Sequence, residues 1–305
     1  MVGLNDIVDN IYVINMKKDR FRLEKFKSFF QSKFKFQIIE GVDVKEKKFK
    51  KIYNAWKKKF LKKNFHWKYY INKYEDLRKA GIKTEKTAWN HYKNFGKREL
   101  RQSNPLNKIH HIGELGCLLS HISAFEDAIK KKYKNILIFE DDATPTKYFE
   151  QKNLKKINNY MENNQYKVIY LGAAQCSWDN LVFKNNFYFA NKDTQGTHSY
   201  IVHHTFYKLA LMELKKLQKP IDNYLTDFQI NYSRQILVKY PNMFIQNLSF
   251  VNNIRKRTKT EQEFFYRLFK WEMIDTKSHF NFINFKKLFN KIIFKFYLLV
   301  YPNHP

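Results

Sequence analysis

The chain is 305 residues long, about two average domains by length yet within reach of one large α/β unit, so its division has to come from internal organisation. With 44% hydrophobic and 18% aromatic residues but only 8 Gly and 6 Pro, it carries enough apolar surface for a substantial core, which excludes a disordered or collagen-like chain. Lys and Arg outnumber Asp and Glu by 57 to 28, a formal net charge of +29 that favours anionic partners: phosphodiester, nucleotide, acidic lipid or acidic glycan.

Along the chain, the run IYVIN at residues 11–15 reads as a strand, and Phe21, Leu23, Phe26, Phe29 and Phe30 follow at roughly helical spacing among charges. FQIIE at 36–40, closed by Gly41, predicts a second strand, so residues 11–43 form a βαβ unit with a right-handed parallel crossover. Residues 45–104 change composition, dense in Lys, Trp and Tyr without a strong strand pattern, and read as a small helical insertion. The sheet pattern resumes with helical spacing over 115–129, an almost fully apolar strand at 136–139, another at 168–171 and a weaker one at 200–202. A helix over 206–217, stopped by Pro220, and a last strand at 243–245 complete it. From Glu261 a helical tail gathers Phe264, Phe265, Leu268, Phe269 and Trp271 on one side, and a Phe/Lys-rich stretch runs on to Tyr301. Such a basic aromatic tail either packs on the catalytic domain or makes peripheral contact with a membrane. The predicted architecture is α/β: a doubly wound, mainly parallel sheet from 1–48 and 105–258, a helical insertion at 49–104 and a helical tail at 259–305.

Two cysteines, Cys117 and Cys176, are too few for a disulfide scaffold and fit a reducing compartment. Asp6, Asp9 and Asp19 interrupt the first thirty residues, so no usual secretory signal is expected. Residues 289–301 are too short, and too broken by Asn290, Lys291 and Lys295, to cross a bilayer. The expectation is a cytoplasmic protein, at most peripheral to a membrane.

Glu140, Asp141 and Asp142 stand at the carboxyl end of the strand ending in Phe139, the place where open α/β sheets bind ligands. Three adjacent carboxylates repel one another unless a cation is held among them, and hard oxygen ligands suit Mg²⁺ or Mn²⁺. Strand alternation puts Glu140 and Asp142 on one side and Asp141 on the other. A nucleotide diphosphate carrying a divalent cation would satisfy this arrangement; the plainer reading is an acidic turn that solvates itself. No Gly-rich P-loop or GxGxxG is present, which sets aside a P-loop NTPase and a Rossmann dinucleotide enzyme.

Several segments then coincide in order: IYVINMKKDR (11–20), GELGCLLSH (113–121), IFEDD (138–142), GTHSY (196–200), PID (220–222), and YPNMFIQ (240–246) with Ser249, Ile254 and Arg255. In these the chain resembles glycosyltransferase family 25, the group that includes bacterial lipooligosaccharide galactosyltransferases and collagen galactosyltransferases. The resemblance covers 11–44 and 109–257, and the 113–121 segment followed by EDD is its most specific part. The stretch from His66 to Lys97 resembles a small helical module found in glycosyltransferases of bacteria and giant viruses, and the Lys, Asn, Ile and Phe bias looks like an AT-rich coding genome, which a giant virus would fit.

The resemblance implies a GT-A type fold and a metal-dependent, inverting transfer of a hexose, galactose or glucose, from a UDP-sugar to a glycan, lipid-linked saccharide or protein hydroxyl. It implies that Glu140 and Asp142 hold the Mn²⁺ (or Mg²⁺) that neutralises the leaving diphosphate, with Asp141 a further ligand or a contact to the ribose. Asp222, in the PID element, is the first candidate for the base that takes the acceptor's proton, and Asp227 the second; Asp222 would otherwise cap the following helix. Asn15 and Arg20 after the first strand, Ser120 and His121 near a helix start, and Gly196 and Thr197 in the GTHSY segment are candidate contacts to the nucleotide-sugar donor. The alternative is that Gly113, Gly116 and Cys117 permit close packing around a hydrogen-bonded core His121. His198, His203 and His204 lack zinc-site spacing and read as structural. A basic nucleic-acid-binding protein is the rival reading, from +29 with interleaved aromatics, but it leaves the acidic cluster unexplained.

Overall fold

The computed structural model describes residues 2–61, 65–99, 101, 103, 109, 111–179, 181–250 and 258–271. Its chain divides into two compact units, Met1–Val44 with His111–Thr276, and Lys45–His110 with Lys277–Pro305. The first unit opens with a helical turn α1 (Leu4–Ile7), then β1 (Asn10–Asn15), α2 (Arg20–Phe30) and β2 (Gln37–Glu40), the predicted βαβ with β1 and β2 parallel. In the second unit α3 (Lys50–Leu61), α4 (Trp67–Lys73), α5 (Glu75–Lys79) and α6 (Glu85–His91) are helical as composition suggested. Tyr70, Ile71, Leu77, Ala88 and Tyr92 form a separate core there, against which Phe65 and Trp89 pack.

The first unit resumes with α7 (Ile112–Lys130), β3 (Asn135–Glu140), β4 (Ala143–Pro145), α8 (Gln151–Asn163), β5 (Val168–Gln175), β6 (Phe183–Lys184), β7 (Phe187–Phe189) and β8 (Thr194–His203). It closes with α9 (His204–Leu214), α10 (Ile221–Asn231), β9 (Ile236–Lys239), β10 (Phe244–Gln246) and α11 (Lys259–Leu268). Eight strands make one sheet in the order β2-β1-β3-β8-β5-β9-β7-β6. Strands β2, β1, β3, β5 and β9 share one direction, and β8 runs against both its neighbours. This is the expected doubly wound, mainly parallel α/β sheet, with two strands, β8 and β7, reversed against their neighbours. The 243–245 run is not part of it: β10 pairs with β4 in a separate two-stranded ladder.

Alternation along the strands divides the core. Ile11, Val13, Leu137, Phe139, Ile169, Leu171 and Ile201 face one way and pack with Phe26 and Phe30 of α2 and Leu154 and Ile157 of α8. Intervening tyrosines face the other helix layer and place their hydroxyls on partners there: Tyr12 donates to Asp127 of α7 at 2.6 Å, and Tyr170 accepts from Gln229 of α10 at 3.0 Å. Burial of both faces is why these strands read as unbroken apolar runs.

The tail helix packs on this unit. Phe265, Leu268, Phe269 and Trp271 are buried. The Trp271 indole N–H donates to the Ala173 carbonyl at 2.8 Å, and that of Trp178 to the Leu268 carbonyl at 3.1 Å. The 289–301 stretch, Ile254 and Arg255 lie outside the described residues. Among the described residues no helix is long and apolar enough to cross a membrane.

Candidate functional site

The parallel register of β1 and β3 sets Ile14 level with Glu140, so Asn15 reaches the turn that follows β3. Its amide donates to Asp141 Oδ2 at 2.6 Å. Arg22, in the first turn of α2, ion-pairs with Asp141 and donates to Asp142 Oδ2 at 2.8 Å. Gln246 of β10 donates to the same Asp142 oxygen at 3.1 Å, and the Asn247 N–H to the Asp142 carbonyl at 2.8 Å. Burial, with Arg22 opposing and the Asp142 charge adding, carries the Asp141 carboxyl up to about 7. The expected alternation is corrected here: β3 ends at Glu140, and the turn at 141–142 swings both aspartates onto Arg22. Arg20, by contrast, is exposed.

Glu140 has its partners on α7 and β8 instead. Among the described residues its contacts converge on Oε1: His121 Nε2 at 3.3 Å, the Thr197 hydroxyl, and Cys117 Sγ at 4.0 Å. The other ring nitrogen of His121, Nδ1, lies 2.7 Å from the hydroxyl of Tyr200. Burial pushes that phenol well up, so it stays protonated and can donate to Nδ1, which leaves Nε2–H to donate to Glu140. Burial alone would raise the Glu140 carboxyl, but the hydrogen bonds from His121 and Thr197 outweigh it and hold it down at about 2. Cys117 and His121 are one turn apart on α7, and with Glu140 they offer ligand atoms all within 4.8 Å of one another, a set able to hold a metal ion.

Asp222 sits in the first turn of α10, where Pro220 takes the cap position, so it is not the cap of that helix. Its Oδ1 accepts from the Gly196 N–H at 3.1 Å. Gly196 has φ +98°, a conformation that favours glycine, and it aims this N–H across to the helix. Burial, with the Glu140 charge adding and the Gly196 N–H opposing, raises Asp222 to about 6. The Gly196–Thr197 corner thus joins Asp222 to Glu140. Asp227, a turn and more along α10, ion-pairs with Lys219 instead.

Ser120 and His121 lie in the third turn of the 19-residue α7, whose cap is His111, so the expected place near a helix N-terminus is corrected and no dipole argument applies to them. Ser120 accepts from the Val42 N–H at 2.9 Å and donates to the Gly116 carbonyl at 2.7 Å. Gly116 permits this approach, since a Cβ there would lie 2.5 Å from the Val42 carbonyl oxygen. His198 is buried, and burial lowers its imidazole to about 4; Nε2 lies 3.3 Å from the Phe244 carbonyl. His203 pairs with Asn135 at the start of β3, the end of the sheet away from the acids. Sequence reasoning missed Arg22 and Gln246: both lie inside quoted segments or next to them, but only helix orientation and the β4–β10 ladder bring them to Asp142.

Residues 8–225 match a family described as Glycosyltransferase family 25 (LPS biosynthesis protein). The chain is 36% identical over 64 residues to a Glycosyltransferase 25 family member of Drosophila melanogaster, a match covering 21% of this chain and 10% of the fly protein. It is 25% identical over 170 residues to Procollagen galactosyltransferase 2 of Mus musculus, covering 55% of this chain and 21% of the mouse protein. The matches therefore span a small part of either relative's length. A solved mannose-1-phosphate geranyltransferase from Thermus thermophilus is similar over 47% of this chain and 52% of that one, at 9% identity and a TM-score of 0.27, and no argument rests on it.

Proposed function

The chain belongs to glycosyltransferase family 25, and from that premise we propose that it moves a hexose, galactose or glucose, from a UDP-sugar to a hydroxyl of a glycan, lipid-linked saccharide or protein, with inversion and with Mn²⁺ or Mg²⁺. The donor set of Asp141 and Asp142 fits such an ion: two carboxylates turned to one place, all hard oxygens, and already sharing a positive group, Arg22. A dication bound there supplies the positive charge against which the diphosphate departs. Asn15 and Gln246 hold the two carboxylates in place, and Arg22 adds a second positive charge beside them.

Asp222 is the proposed base. A carboxylate near 6 is largely ionised at neutral pH yet basic enough to take a proton from an acceptor hydroxyl as it attacks. Glu140, held anionic by His121 and Thr197, serves in this reading to keep the proton affinity of Asp222 high, and the metal ligands are the two aspartates. The observation that carries the proposal is this juxtaposition: a cation-seeking pair and a raised carboxyl gathered around the carboxyl end of β3.

The test is to incubate the protein with a panel of UDP-sugars, Mn²⁺ and saccharide or hydroxylysine-peptide acceptors, following UDP release and the anomeric signal of the product by NMR. One preferred UDP-hexose giving a β-linked product from the α-linked donor is expected. Turnover of no UDP-hexose, or an α-linked product, would overturn the proposal.

A further inference from the structure

We infer a second metal site, for a borderline-soft divalent cation of the zinc class, formed by Cys117 Sγ, His121 Nε2 and Glu140 Oε1. Spacing of i and i+4 on α7 puts the thiol and the imidazole on one face of the helix, and the end of β3 brings the carboxylate to them. Zinc bonds of about 2.0–2.3 Å in a tetrahedron ask for ligand atoms about 3.3–3.6 Å apart. The 3.3 Å between His121 and Glu140 meets this, and the 4.0 Å between Cys117 and Glu140 is within a small side-chain adjustment.

The donor set selects the ion. One sulfur, one imidazole nitrogen and one carboxylate oxygen suit zinc or cobalt and not magnesium, in contrast to the all-oxygen pair at Asp141 and Asp142. The groups behind the ligands are also in place. Tyr200 lies 2.7 Å from His121 Nδ1, and the Thr197 hydroxyl donates to Glu140. Binding an ion requires the His121 proton to pass from Nε2 to Nδ1, where it donates to the Tyr200 oxygen as the phenol turns, so Nε2 is freed without the ring moving; Cys117 gives up its thiol proton to solvent as the sulfur binds. His121 is buried while Cys117 and Glu140 are partly exposed, and a water would be the fourth ligand. The inference rests on these side chains and not on the transfer reaction proposed above, in which Glu140 raises Asp222 with this second site empty.

Cobalt is the probe. Titrating Co²⁺ alone into the full, metal-free chain should raise a near-ultraviolet thiolate-to-cobalt charge-transfer band that saturates at one equivalent and is displaced by Zn²⁺. The band should vanish in Cys117→Ser, persist in Cys176→Ser and in an Asp141→Asn/Asp142→Asn double variant, and require at least tenfold more Co²⁺ in Glu140→Gln. Absence of the band in the unaltered chain, its survival in Cys117→Ser, or its loss in a folded Cys176→Ser would overturn the site. A measurement free of variants stands beside it: Zn²⁺ should slow alkylation of Cys117 and not of Cys176, read by mass spectrometry, and equal alkylation with and without Zn²⁺ would count equally against it.

Discussion

Asp222 takes its proton affinity from position: removed from water, beside the Glu140 anion, and relieved only in part by the Gly196 N–H. As the base it must be ionised, so the transfer rate is expected to fall as pH drops through about 6 and to level above it. Asp222→Asn should lower kcat by roughly 10²–10⁴-fold. The same shift has a stability sign. Folding raises this carboxyl above its ordinary 3.8, so its ionisation costs stability as pH climbs from 3.8 to about 6, and the cost is fully present above that. Asp222→Asn should therefore melt no lower than the parent at neutral pH, by a margin that shrinks in acid; a lower melting temperature at neutral pH would contradict it. Arg22 carries the opposite sign. Arg22→Met leaves two buried carboxylates without their cation, with an expected cost of about 3–5 kcal/mol, and Mn²⁺ should raise the melting temperature of that variant more than that of the parent. No Mn²⁺-induced shift in either protein would show that the pair does not take the ion. The acids and Asp222 were legible because each sits in a short motif at a strand end or helix start. Arg22 was not, because nothing in its spacing distinguishes it from the exposed Arg20 until the helix is placed.

Among the elements, α11 shows an amphipathic face spent inward. Its apolar residues, read from spacing alone, suited either packing or a membrane, and the indole of Trp271 bonded to β5 at 2.8 Å puts them against the sheet. Trp271→Ala should accordingly destabilise the fold by roughly 3–5 kcal/mol in denaturant titration. An unchanged midpoint, together with lost binding to anionic vesicles, would assign that face to a membrane instead. Strands buried on both faces were readable because they form unbroken apolar runs of four or more residues. The short β9 was not, since ILVK at 236–239 is four residues ending in a buried lysine directly before Tyr240. The run at 243–245 was seen as a strand, but its pairing with β4 is a contact across about a hundred residues that no local pattern records.

At the scale of the molecule, the sheet's helical layers and its mainly parallel direction followed from strands alternating with helices, whereas the reversal of β8 did not, because a strand buried on both faces reads the same in either direction. The second unit has a core of its own around Tyr70 and Tyr92. Excising residues 50–104 with a short linker should thus leave the remainder folded, with UDP-sugar hydrolysis kept and acceptor use diminished; complete loss of the cooperative melt would refute the separability of that segment. The proposed chemistry turns on the carboxylate pair beside Arg22, and the most direct measurement is Mn²⁺-dependent UDP release by folded Asp142→Asn beside the parent chain. The expected result is activity in the parent that a chelator abolishes and Mn²⁺ restores, with a loss of about 10²-fold or more in the variant, close to 3 kcal/mol of transition-state stabilisation. Near-parental, Mn²⁺-dependent release by Asp142→Asn would contradict that assignment.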